Sequence, residues 1–231
     1  VQSIRYESEK YGPSNYSIYM NKDYGNVKGY TFSLTKRYDP VSKTSAFVDY
    51  TYQVTEGNSV TSGSFYYNAL SGEQEEKRIV PLAWDQRHIL NTNVSVGDPR
   101  NWNLGIISKL SSGWPYTPNI PDANYVPQPN SGRKPWQWRV DMRLHKNFKV
   151  GKLNYLVFMK VYNLLDRRNE RYVFNDTGRA GYTYVFQSTQ ETQGFKNHYG
   201  EPGVHEWSEY QVRPHYYTAP RSINVGFSVD F

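Results

Sequence analysis

The sequence predicts an all-β protein: an antiparallel transmembrane β-barrel segment of about eight strands with long extracellular loops. Many segments alternate between apolar and polar residues, which is the period of a strand. Long and short connections alternate between these segments. The composition is polar overall, with a mean hydropathy of -0.80 and 37% hydrophobic residues, yet 16% of the residues are aromatic. A sheet whose two faces meet different solvents has such a composition, as does a secreted all-β binding module.

Composition and charge exclude several classes of protein. No segment approaches the run of about 20 apolar residues that a membrane-spanning helix requires. The chain has no cysteine, so neither disulfides nor thiolate chemistry is available. The net charge is +6, but the 27 Lys and Arg residues are scattered among 21 Asp and Glu residues. Because no nucleic-acid-binding motif is present, we expect no nucleic acid partner.

Strands in the first part of the chain are predicted at Asn15–Asn21, where the alternation is weak, at Val27–Arg37 and at Thr44–Thr55. In the second of these, Tyr30 and Phe32 lie on the side opposite to the Gly, Thr and Ser residues between them. Successive side chains of a strand point to opposite faces. Each segment therefore has one apolar side and one mostly polar side.

Three further strands are predicted at His88–Val96, Trp102–Ser111 and Trp138–His145. The last alternates most sharply, with four apolar residues on one side. Its other side carries Arg139, Asp141, Arg143 and His145. In a barrel these side chains point into the lumen or towards a plug that fills it, whereas in a soluble fold they face water.

The last two predicted strands are Leu153–Asn163 and Ser222–Phe231. In the final strand every odd position from Ile223 to Phe231 is aliphatic or aromatic, and every even position is small or polar. This segment is the clearest amphipathic strand of the chain.

Short and long connections follow one another between the predicted strands. The long connections are Glu56–Arg87, Ser112–Trp136 and Leu164–Ala219, and every second connection is a short turn. Outer-membrane barrels have short turns on the periplasmic side and long loops outside. Counting backwards from a last strand that ends at the periplasm places all three long loops outside, a regularity that a soluble sandwich has no reason to keep.

Several motifs resemble the TonB-dependent outer-membrane receptors, of the SusC-like or carboxypeptidase-regulatory type. The segment Asn163-Leu164-Leu165-Asp166 is similar to the signature at the exit of the penultimate strand in that family. In the family's order, the chain also carries resembling segments at Gly25–Phe32, Pro81–His88 and Ser112–Pro118. An aromatic residue at the end of the last strand, here Phe231, is the family's usual membrane-insertion signal.

The resemblance implies that residues 1–231 are the C-terminal portion of a receptor barrel of about 22 strands, with no plug domain in this chain. It implies a bacterial outer-membrane location and uptake of a scarce nutrient such as a siderophore, cobalamin or glycan, without enzymatic activity, cofactor or metal site. The implied partners are outer-membrane lipid, the remaining barrel and plug in the same or a separate chain, a TonB-type energy transducer that acts through the plug, and a surface lipoprotein.

The resemblance also implies that loop aromatics contact the nutrient. The candidates are Trp114, Tyr116, Tyr125, Trp136, Tyr199 and Trp207. Aromatic rings stack on sugars and chelates, but they also pack loops together and form interfacial girdles.

Two alternatives remain open from the residues. The first is an independent small outer-membrane barrel, an adhesin or an enzyme that uses Asp85 and His88 at its rim. The second is a secreted all-β binding module. His198 and His205, in one loop, are the closest pair to a metal-ligand spacing, and a chance pair of surface histidines accounts for them.

Overall fold

The structure, a computed structural model, describes the backbone of residues 2–8 and 12–18, and backbone and side chains of residues 24–58, 78–119, 127–184 and 213–230. Within these ranges the protein is all-β, and its one helical element is a 3-10 turn, η1, at Pro214–Tyr216. The strands are β1 Gln2–Ser8, β2 Gly12–Ile18, β3 Gly25–Asp39, β4 Thr44–Gly57, β5 Val80–Pro81, β6 His88–Asp98, β7 Trp102–Ser111, β8 Pro115–Tyr116, β9 Gly132–Arg133, β10 Gln137–Val150, β11 Leu153–Tyr162 and β12 Ser222–Asp230.

Seven long strands form one antiparallel meander in the order β12–β11–β10–β7–β6–β4–β3. Each of these strands pairs with its nearest long neighbours along the chain, and the two-residue β5 pairs with the end of β4, which makes an eight-stranded sheet. Short strands β8 and β9 form a small separate ladder in the loops. The all-β class and the antiparallel sheet that the sequence predicts are confirmed.

The connections of the meander separate into two ends of the sheet. Short turns at residues 40–43, 99–101 and 151–152 lie at one end, called here the turn end. The long connections follow β4, β7 and β11 and lie at the other, the loop end. At the β10–β11 turn, Gly151 adopts a φ of +62°, a conformation in which a side chain costs energy. The predicted alternation of long and short connections is therefore present.

The strand register places the apolar sides of all seven long strands on one face. Directly opposite residues in an antiparallel pair share a face. One row of such pairs crosses six strands through Ala46, Val94, Ile106, Met142, Val161 and Ile223. The opposite face is mostly polar and carries Arg139, Asp141, Arg143 and His145 together, as their spacing predicts.

Two features of the predicted fold need correction. The weak strand predicted at Asn15–Asn21 is instead β2, Gly12–Ile18, which pairs with β1 in a separate two-stranded sheet because only three residues join them. The eighth strand of the main sheet is thus β5, which is too short to show an alternating pattern. Strand β10 also continues to Val150, since its pairing with β11 persists to Leu153 after the sharp alternation stops.

The sheet is open among the described residues. Strands β3 and β12 lie at its two edges, and the paired ladders contain no partner for the outer side of either. Residues at the loop end make up the small buried apolar set, namely Val80, Leu82, Val140, Val161, Val173 and Ala180. The part of the sheet between the loop end and the turns therefore packs on no interior core in the described part of the chain.

Candidate functional site

The apolar face is exposed at both edge strands. Phe227 in β12 is 77% exposed, and Tyr30 and Phe32 in β3 are each 62% exposed. In the paired strands, Lys, Arg, Asp and Glu residues on this face lie only near its ends. They are Lys28 and Glu56 at the loop end, and Lys36, Asp39, Asp98 and Lys146 at the turn end. The middle of the face is thus a continuous surface without charge.

Aromatic contacts lie at both ends of this face, as a row of rings at the loop end and one stacked pair at the turn end. At the loop end, neighbouring ring centroids are 5.5 Å apart from Tyr30 to Tyr52, 5.1 Å from Tyr52 to His88 and 5.6 Å from His88 to Trp136. The His88 Nδ1 atom also lies 2.9 Å from the Tyr50 hydroxyl. These contacts make a ladder of rings across three strands and the residue that precedes β10.

At the turn end, the rings of Phe148 and Tyr155 stack at 5.3 Å. Trp138 at the loop end of β10 and Phe148 are ten residues apart on one strand, which corresponds to roughly 33 Å along the strand. If this strand were tilted by about 40°, as barrel strands are, the same length would correspond to a height of roughly 25 Å.

Two of the four predicted polar-face residues form an ion pair. The Nε atom of Arg139 donates to both carboxylate oxygens of Asp141, at 2.8 and 3.1 Å. The same carboxylate accepts a hydrogen bond from the backbone N–H of Asn163 at 2.8 Å. Further along β10, the Nε2 atom of His145 lies 3.3 Å from the Pro99 carbonyl oxygen. Their role as lumen-facing or plug-facing residues stays a prediction.

The Asn163–Asp166 segment ties the last long loop to the sheet. Asn163 is buried, and its side-chain amide donates to the carbonyl oxygens of Arg167 and Ala219, both at 3.1 Å. Asp166 accepts a hydrogen bond from the backbone N–H of Arg221 at 2.8 Å. The end of β11 and the chain before β12 are thereby held together.

The backbone explains the residue types in this motif. Asn163 and Asp166 adopt φ values of +53° and +50°. Among non-glycine residues, Asn and Asp tolerate this left-handed region best. Leu164 and Leu165 lie between these two positions, and Leu164 donates its backbone N–H to the Val140 carbonyl oxygen at 2.7 Å. The four residues are a structural clasp in the described chain.

Asp85 is the centre of a second clasp at the loop end. Its side chain is 0% exposed, and it accepts a hydrogen bond from the Thr55 backbone N–H at 2.8 Å. It pairs with Arg87 at 3.3 Å and more closely with Arg133. Burial without these partners would cost several kcal/mol. Asp85 and His88 bond to different partners, since His88 contacts the Tyr50 hydroxyl.

The predicted ligand-contacting aromatics occupy different environments. Trp114 is 49% exposed, and Trp136 belongs to the aromatic row at the end of the apolar face. Tyr116 is packed among loop segments, and a Cβ added at Gly178 would collide with its hydroxyl. Burial, and then the charge of Asp176, raise the pKa of the Tyr116 phenol. Tyr125, Tyr199 and Trp207 lie outside the described residues, as does Phe231.

Sequence reasoning missed several residues that hold the loops. Asn169 accepts a hydrogen bond from the Trp138 backbone N–H and donates to its carbonyl oxygen, both at 2.9 Å. Glu170 pairs with Arg179 at 2.8 Å, and its carboxylate also accepts from the backbone N–H of Ala180. These residues lie in an irregular loop, where no periodic pattern marks them.

Comparisons of the chain with protein-family models, with curated proteins and with solved structures give no match. The resemblance to TonB-dependent receptors therefore rests on the motifs and stays a prediction. Within the described ranges we find no helix long and apolar enough to span a membrane. The same ranges contain no group of three or more His, Cys, Asp or Glu residues that could hold a metal ion.

Proposed function

We propose that this chain is part of the barrel wall of an outer-membrane receptor that takes up a nutrient. The observation that carries the proposal is the face that crosses seven strands, has no charge in its middle, and is bordered by an aromatic row at the loop end and an aromatic pair at the turn end. Lipid chains would cover this face, and the headgroup layers would meet the aromatic residues at its two ends. The polar face would line the aqueous lumen.

The charge distribution on the two faces supports a lipid environment for only one of them. An Arg or Lys on the lipid face costs about 2–4 kcal/mol at the bilayer midplane and little near the interfaces. Lys28, Lys36 and Lys146 lie near the ends of the apolar face, and Lys36 and Lys146 bond to turn residues there. Charged residues on the polar face, by contrast, extend along the whole of β10.

The structure of the loop end supports the proposal that the protein acts as a receptor. All three long connections emerge there, and two buried clasps, at Asp85 and at Asn163, hold their bases. A rigid scaffold that presents long loops at one end is a common arrangement for ligand binding. With the loop end outside the cell, the loops would meet the nutrient and the short turns would face the periplasm.

Membrane residence is tested by fractionation and detergent dependence. The complete protein, produced in a Gram-negative host, should be recovered in the outer-membrane fraction and should need detergent to stay monodisperse. A protein that is monodisperse in detergent-free buffer would instead be a secreted binding module.

The receptor role is tested by isolating the protein from outer membranes in mild detergent and identifying the plug by mass spectrometry. We expect a plug domain, either upstream in the same polypeptide or in a chain that copurifies. A membrane protein with no plug in either place would be an independent small barrel.

A further inference from the structure

Four cations form two directly opposed pairs on the polar face, and we call them the cation cluster. Lys109 in β7 lies opposite Arg139 in β10, and Arg143 in β10 lies opposite Lys160 in β11. The Cβ atoms of directly opposite residues are about 5 Å apart. The two pairs are four residues apart along β10, which corresponds to roughly 13 Å.

Like charges in directly opposite positions destabilise a sheet. The one carboxylate among these residues, Asp141, is already bonded to Arg139 and to the Asn163 backbone N–H. The cluster of four cations and one carboxylate thus keeps an excess of positive charge. Residues that violate a local rule in this way are often retained for function.

Two cations of the cluster contact aromatic rings, which offset part of the repulsion between the like charges. The Nζ atom of Lys160 lies 5.2 Å from the centroid of the Phe158 ring, and the guanidinium carbon of Arg139 lies 5.9 Å from that of Tyr162. Such contacts contribute about 0.5–1 kcal/mol at exposed sites. An aromatic ring brings no negative charge, so the net positive charge of the cluster remains.

Two positions directly opposite Arg143 and Lys160 carry no charge. Gly105 lies directly opposite Arg143, and a Cβ added there would come no closer than 3.8 Å to another residue, the Arg143 carbonyl oxygen. On the far side of Lys160, the directly opposite residue is the neutral Asn224. An incoming anion would therefore meet neither a bulky side chain nor a carboxylate at these positions.

We propose that the cation cluster binds an anionic ligand through its carboxylate or phosphate groups. One such group would bridge Arg143 and Lys160, and a longer ligand would also reach Arg139 and Lys109. Arg139 also borders a cavity with Tyr162, Asn163 and Thr218. This inference rests on the proposed function, because it requires the polar face to line an aqueous lumen.

The test measures binding of citrate and of tripolyphosphate to the complete protein in detergent, by isothermal titration calorimetry. Triethyl citrate is the neutral control ligand. The test variant is Arg143→Gln with Lys160→Gln. The matched control, Lys149→Gln with Lys152→Gln, removes the same charge near the β10–β11 turn. We expect binding of at least one anion to weaken by about tenfold or more in the test variant, to weaken with added salt, and to change little in the control.

Thermal melting without ligand separates binding from misfolding. Because the variant relieves a like-charge repulsion, it should melt at the same temperature as the unmodified protein or higher, and only its stabilisation by the anion should disappear. Binding of citrate alone would show that the cluster recognises carboxylate groups, and binding of tripolyphosphate alone would show that it recognises phosphate groups. The proposal is overturned if neither anion binds, or if the control variant loses as much affinity as the test variant. Outer-membrane fractionation of the same variants tests the membrane proposal separately.

Discussion

Phe32 and Ser33 give a direct test of which face meets lipid. They are adjacent at the centre of β3, they point to opposite faces, and both are exposed in the structure. If the apolar face contacts lipid chains, Phe32→Arg places a charge in the middle of the membrane. Ser33→Arg instead places it on the polar face opposite Asp49, which already accepts a hydrogen bond from Ser33 at 2.6 Å.

The expected difference is a large fraction of the free energy of unfolding of a typical domain, which is about 5–15 kcal/mol. An Arg near the bilayer midplane costs about 2–4 kcal/mol. Covering a Phe side chain contributes about 1.5–3 kcal/mol, of which Phe32, being 62% exposed in the isolated sheet, would lose roughly two thirds. Phe32→Arg should therefore destabilise the protein by about 3–6 kcal/mol, and Ser33→Arg by less than about 1 kcal/mol.

Urea unfolding in the presence of lipid vesicles measures both changes, with recovery from the outer membrane as a second readout. Phe32→Leu serves as a control for the loss of the ring, and it should cost less than Phe32→Arg. In a water-soluble sheet both residues would already face water, and the two Arg variants would behave alike. Equal stability of the two Arg variants would thus refute a lipid-facing apolar side.

Three further predictions concern the loop end. Asp166→Ala removes the hydrogen bond to Arg221 and places alanine at a positive φ, so we expect a loss of about 1–3 kcal/mol and faster proteolysis of the last loop. Asp85→Asn weakens a buried ion pair and should make the loop bases protease-sensitive, whereas Asp98→Asn at an exposed turn should not. Because the raised pKa of Tyr116 favours its neutral phenol in the fold, stability should fall as pH rises above the unfolded pKa of about 10, and Tyr116→Phe should reduce that fall in melting experiments.

The long strands of the main sheet could be predicted because period-two alternation is a direct consequence of the strand backbone. Trp138–His145 shows this clearly, since the predicted faces of its residues are the observed ones. Strand ends were harder to predict, because pairing and not pattern decides them. Strand β10 continues to Val150 because it pairs with β11 up to that residue, although Lys146–Lys149 has little alternation of its own.

The clasps could be predicted only in part. The motif at Asn163 and Asp166 marks a segment that holds the last loop. The sequence alone does not show which distant backbone groups its amide and carboxylate groups bond to. Asp85 is similar, because its partners Thr55 and Arg133 are separated from it by 30 and 48 residues. Contacts over such separations leave no local signal.

The buried apolar residues lie mostly away from the apolar face, so the stability of the sheet depends on what covers that face. A soluble sheet stabilises itself by covering its apolar side with another layer, but the buried apolar residues of the described chain lie at the loop end. Val225 and Phe227 are 71% and 77% exposed. Their side chains would stabilise the fold by burial only if another layer covered them. A bilayer would cover all seven strands at once without requiring a specific partner for each side chain, and it would require the middle of the face to carry no charge.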